Sequence, residues 1–97
     1  MLHTQRSYGG SCVAPHHLAA SAGRDVLKQG GNAVEAMVAA AAAIAVVYPH
    51  MNALGGDGFW LIQEPGKAPV AIDACGPAAQ LANGDFYAGE SHIPERG

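Results

Sequence analysis

The segment Ala33–Val47 constrains the fold more than any other part of the chain. It is apolar nearly all round, with no charged residue after Glu35. Asn32, just ahead of it, is a good N-cap, because its side-chain oxygen can accept from the free N–H groups of the first turn. Glu35, three residues on, completes a capping-box pattern and suits the positive end of a helix. The sequence therefore predicts a helix from Ala33 to Val47. A helix without a polar face has to be covered on several sides. A chain of 97 residues buries only about 60–65% of the surface its unfolded form exposes. Apolar residues make up 49% of it, but much of that is alanine, and aromatics are 6%. Each buried CH2-sized group contributes only ~0.8 kcal/mol. The core these residues can build is thin, so residues 1–97 read as a fragment of one domain whose covering elements lie elsewhere.

Around that helix the local signals are clear. Residues 1–10 are polar and glycine-tipped and read as a flexible arm. Ser11–Ala14 is short and partly β-branched, and Pro15 follows it, which predicts a strand ending where the next element begins. From His16, the positions Leu18, Ala19, Ala22, Val26 and Leu27 recur at helical spacing. Gly30-Gly31 supplies the left-handed stop, giving a helix of about four turns. Tyr48-Pro49-His50 ends the second helix, and Met51–Gly58 is a loop carrying Gly55, Gly56 and Gly58. Phe59–Ile62 and Pro69–Ile72 read as the strands of a hairpin turned by Glu64-Pro65-Gly66-Lys67. Both strands are apolar on both faces, as in central strands covered from each side. Beyond Asp73 no period persists. Residues 78–97 form an irregular tail whose last part, Gly89–Gly97, is open-ended like a cut or processed end. The order strand, helix, helix, strand, strand predicts an α/β (α+β) architecture with helices layered on a mixed sheet.

The formal charge of −3 and a pI near 5.9 argue against a nucleic-acid partner, since five scattered Lys and Arg form no basic stripe. The longest apolar run, Ala36–Val47, is too short and alanine-rich to span a bilayer. No charged segment followed by an apolar one opens the chain, so no signal peptide is expected and cytoplasmic is the default location. Cys12 and Cys75 lack metal-type spacing and are expected to remain thiols. No cofactor is called for.

Three stretches together resemble the start of the large subunit of the gamma-glutamyltranspeptidase family. Val13–Ala19 leads into a helix; Gln29–Ala36 is similar to the family's "QGGNAVDA" junction; Pro49–Phe59 is similar to its "PHMSGLGGGGF" loop. They fall in the family's order and spacing, over roughly Cys12–Pro77, so residues 11–77 are the family-like core segment. The resemblance implies the N-terminal portion of a four-layer αββα N-terminal-nucleophile hydrolase sandwich, made as a proenzyme that cuts itself. The nucleophile is then the Thr that begins the small subunit, with its own α-amino group as base. That position is not among these residues, so no catalytic residue is carried over. The implied partners are the remainder of the large subunit, the Thr-bearing small subunit and a small-molecule amide substrate; homo-oligomerisation stays open.

Family members with gamma-glutamyl specificity place an Arg just after the strand corresponding to Val70–Asp73, where a planar bidentate donor pairs with the substrate α-carboxylate. Here Cys75 occupies that position. Neighbouring registers put Ala74 or Gly76 there, and the nearest remaining Arg in sequence is Arg96, in the tail. Cys75 and Ala74 are thus the candidate substrate-binding positions, and the missing cation weakens recognition of a glutamyl carboxylate by ~1.5–3 kcal/mol. This departure, with the run Tyr48–Trp60 and the "IDACG" segment, resembles the oxamate amidohydrolase branch. Glutathione hydrolysis or transfer, related acylases and a non-catalytic structural module are the alternatives.

Other residues have plainer explanations. Cys75 could instead be a small buried thiol filling space. Asp57, between glycines, reads as the cap of its own turn, the alternative being a pocket or cation-binding role. Gly55-Gly56-Asp57-Gly58 fits no nucleotide fingerprint. His16 and His17 are adjacent and expected to point to different faces, which disfavours a shared metal. His17 or His50 reads as a hydrogen-bonded structural residue near a helix end.

Overall fold

The computed structural model describes residue 4 and residues 6–92. They form two helices followed by two strands: α1 (His17–Lys28), α2 (Ala33–Val47), β1 (Phe59–Ile62) and β2 (Val70–Asp73). The outer parts of the arm and of the tail, Arg96 among them, lie outside the described residues.

Local chemistry sets the ends of both helices. His16 is extended at φ −122°, and its Nδ1 accepts from the Leu18 N–H at 3.2 Å, which makes it the N-cap of α1. The hydrogen-bonded histidine at a helix end is therefore His16 rather than His17 or His50. Its ring lies over that of His17 with centroids 4.6 Å apart, so the two rings stack instead of pointing to different faces. An N-cap residue has left the helical backbone path, which is why helical geometry did not govern its side chain. At the other end Gly30 takes φ +88°. Its N–H reaches the Leu27 carbonyl at 3.1 Å, and the Gly31 N–H reaches that of Val26 at 3.0 Å. This pair of bonds is a Schellman stop, and it needs a residue free to adopt positive φ. The α2 capping box closes as expected, with Glu35 N to Asn32 Oδ1 at 3.0 Å and Asn32 N to Glu35 Oε2 at 2.8 Å.

The helices pack as a hairpin through small residues. Ala19 and Gly23 of α1 and Ala36 and Ala40 of α2 are its buried positions. A Cβ at Gly23 would come within 2.8 Å of the Ala36 carbonyl oxygen and would collide with the Cys12 sulfur. Small side chains at this seam let the two backbones approach, and they also make the core small: the buried apolar residues among those described are three alanines. Several larger side chains of α2, Val34, Met37, Val38 and Val46, stay outside, with Val46 at 76% exposure.

Ser11–Ala14, expected as a strand, pairs with no strand among the described residues. A strand exists through hydrogen bonds to a neighbour, and here Cys12 lies against Gly23 of α1 instead. The described sheet is the antiparallel pair β1–β2, in register Phe59↔Asp73, Trp60↔Ile72, Leu61↔Ala71 and Ile62↔Val70. Its turn uses Gly66 at φ +73° and a Lys67 N–H to Glu64 carbonyl bond of 3.1 Å. Side chains alternate between faces, so Phe59 and Leu61 share one face with Ala71 and Asp73. Neither face is fully covered by the described residues: every residue of β2 is exposed, Phe59 and Leu61 are 74% and 77% exposed, and Trp60 and Ile62 are half-buried. A two-stranded ribbon is marginal by itself. The Cα radius of gyration, 18.6 Å, compares with about 13 Å for a compact domain of this length.

Candidate active-site corner

The residues following β2 form a corner whose backbone is held at three consecutive amides. The Ala74 N–H donates to the Gly58 carbonyl at 2.9 Å, extending the hairpin one step beyond Phe59↔Asp73. The Cys75 N–H donates to Asp73 Oδ1 at 3.0 Å, an Asx turn. The Gly76 N–H donates to Asp57 Oδ1 at 3.3 Å, across 19 residues of sequence. Asp57 therefore caps the corner after β2, not its own turn. The glycine loop and the corner meet because the hairpin register brings the start of β1 beside the end of β2.

Cys75 and Ala74, the two positions singled out from the sequence, sit side by side at this corner and both are exposed. The reading of Cys75 as a buried space-filling thiol does not hold within the chain. Cys12 and Cys75 are both free thiols. The Asp73 carboxylate beside Cys75 pushes its thiol above the usual value. In the same contact the Cys75 side chain, and then its backbone N–H, lower the Asp73 carboxyl below the ordinary carboxylate range. Asp73 is thus an anion at neutral pH and Cys75 a protonated thiol, which is the wrong state for a nucleophile.

Among the described residues no Lys or Arg is hydrogen-bonded at the corner. Arg6, Arg24 and Lys28 line a groove of about 600 Å³ beside α1, and Lys67 pairs with Glu64 at the hairpin tip at 2.7 Å. Asp57 also forms part of an open cleft of about 440 Å³ whose other walls include Pro49, His50 and Asn52. Asn52 is tied to the end of α2 through its Nδ2 to the Tyr48 carbonyl at 3.2 Å, and the His50 ring rests on Tyr48 with centroids 4.2 Å apart. Among the described residues no group of three or more His, Cys, Asp or Glu is placed to hold a metal ion, and no helix is long and apolar enough to cross a membrane. The link from Asp57 to Gly76 was missed in the sequence. The one signal for it was an acidic residue in a glycine loop immediately before a hairpin.

The helical hairpin, glycine loop and β-hairpin are the N-terminal portion of an N-terminal-nucleophile hydrolase fold. They superpose on a solved structure of Helicobacter pylori gamma-glutamyltranspeptidase with a TM-score of 0.77 at 36% identity, covering 84% of this chain and 23% of that one. The gamma-glutamyltranspeptidase family model matches residues 19–97. The chain is 65% identical over 88 residues to the oxamate amidohydrolase proenzyme of Klebsiella pneumoniae, covering 91% of this chain and 17% of that protein. It is 48% identical over 86 residues to the glutathione hydrolase-like YwrD proenzyme of Bacillus subtilis, covering 88% of this chain and 16% of that protein. The chain belongs to the gamma-glutamyltranspeptidase family. It spans 17% and 16% of the lengths of these two curated relatives.

Proposed function

We propose that these residues are the N-terminal segment of the large subunit of an autoprocessed amidohydrolase that hydrolyses a small amide such as oxamate, releasing ammonia. The observation that carries the reading is the corner Asp73–Gly76. At the place where the family resemblance puts a carboxylate-binding Arg, this chain has a neutral Cys75 flanked by the carboxylates of Asp57 and Asp73. An anionic glutamyl α-carboxylate brought here finds no bidentate donor among the described residues and two like charges.

Oxamate makes no such demand. Its carboxylate is bonded directly to the scissile carbonyl, so it lies at the reacting centre, the length of a glutamyl side chain away from where a glutamyl α-carboxylate ends. An enzyme for so short a substrate has no use for a cation at the corner, which serves instead as a wall that closes the cleft down to the size of the substrate. In this reading the Thr at the start of the small subunit attacks the amide carbonyl, its α-amino group takes the hydroxyl proton, and ammonia leaves with that proton. Water then hydrolyses the acyl-enzyme. The rest of the large subunit and the small subunit cover α2 and the hairpin, and the protein works in the cytoplasm.

The test is a pair of assays on the processed full-length enzyme: ammonia release from oxamate, and p-nitroaniline release from gamma-glutamyl-p-nitroanilide. Turnover of oxamate with negligible glutamyl activity is the expected result. Brisk turnover of the glutamyl compound alone would move the protein to the glutathione hydrolases and sink the proposal.

A further inference from the structure

We infer that Asp57 is a positioning residue: its carboxylate holds the corner that bears Cys75 at a set distance from the cleft, and so determines how tightly substrate is bound. The inference rests on the amidohydrolase reading and deepens it by assigning a role to a residue in the glycine loop.

The loop has little else to hold it. A Cβ built at Gly55, Gly56 or Gly58 meets nothing within 4 Å, and Gly56 takes φ +105°, so packing does not fix this backbone. Two bonds join it to the corner, the Gly58 carbonyl accepting from Ala74 and Asp57 Oδ1 accepting from Gly76. The first continues the hairpin ladder and would form with any residue at position 57. The second depends on a side-chain acceptor at that position. Asp57 is also part of the cleft wall beside Pro49, His50 and Asn52. One side chain therefore touches both the cleft and the corner that replaces the family's Arg site. Without it the Gly76 N–H loses its partner, the preceding Cys75 N–H alone keeps its Asx turn to Asp73, and the corner is free to shift relative to the cleft. A peptide N–H bonded to a carboxylate is stronger than one bonded to a neutral acceptor, so Asp is the side chain that holds it best.

The test uses the processed full-length enzyme with D57A and D57N, each assayed on oxamate and on gamma-glutamyl-p-nitroanilide. For D57A we expect KM to rise about tenfold, the worth of one hydrogen bond to a charged group, with kcat within about twofold and autoprocessing unchanged. D57N keeps an acceptor oxygen, so most of the KM should be recovered. Unchanged KM in D57A overturns the inference. So does an equal loss of kcat in both variants, which would mark direct participation in the reaction, and so does failure of both to fold or process, which would mark a structural role. Whichever of the two amides wild type turns over serves for the comparison. Failure of oxamate alone therefore counts against the proposed substrate and leaves the Asp57 result readable.

Discussion

Asp73 and Cys75 illustrate how much a single turn can set. The carboxylate that accepts the Cys75 N–H also raises the thiol next to it, and its own pKa falls in return. The sign of the pH dependence follows. A carboxyl with a depressed folded-state pKa contributes above its ordinary unfolded value, and that contribution is lost as pH falls through the depressed one. The Asx turn is therefore intact at neutral pH and loosens only in acid, below the usual carboxylate range. The thiol moves the other way and stays protonated at pH values where an ordinary cysteine begins to ionise. In the full-length protein, the pH midpoint of Cys75 alkylation by iodoacetamide should lie above that of a free thiol. It should fall back in D73N; a midpoint unmoved by D73N would show that Asp73 is not the cause. Cys75 and Ala74 became candidates through the family resemblance, which places a carboxylate-binding Arg just after the strand Val70–Asp73. The acidic surroundings of Cys75 were not legible, since Asp57 is 19 residues from its partner.

At the scale of elements, the helices were read from the sequence nearly to their ends. Asn32, Glu35 and the paired glycines act over three to five residues, so their partners are visible in a short window. The strand expected at Ser11–Ala14 failed for the opposite reason, because its existence depends on a neighbour the local pattern does not specify. What the sequence hid was the closeness of α1 and α2. Gly23 is the residue that permits it, and its Cα faces the α2 backbone and Cys12 together. G23A should destabilise the full-length protein by about 1–3 kcal/mol, the usual cost of overpacking. A clear fall in its thermal midpoint is the check. An unchanged midpoint would mean the helices can separate without loss.

For the whole molecule the governing fact is the small core. Three buried alanines cannot offset a conformational entropy of roughly 1–2 kcal/mol per ordered residue. Produced as an isolated 97-residue chain, the segment should show helical circular dichroism, no cooperative thermal transition, and strong binding of a hydrophobic dye. A sharp two-state transition would contradict this. The exposed valines of α2 and the uncovered hairpin faces are then surfaces shaped for the rest of the polypeptide.

The sequence alone determined the capping box of α2, the glycine stop of α1 and the hairpin, because each rests on contacts within a few residues or on apolar runs flanking a turn. It also determined that α2 has no polar face. Only the tertiary structure decided that Ser11–Ala14 pairs with no strand among the described residues, that α1 and α2 close on Gly23, and that Asp57 reaches the corner beside Cys75. Those outcomes depend on strand register and on the distance between two backbones. Such quantities are set by the sum of many distant contacts, not by any one stretch of residues.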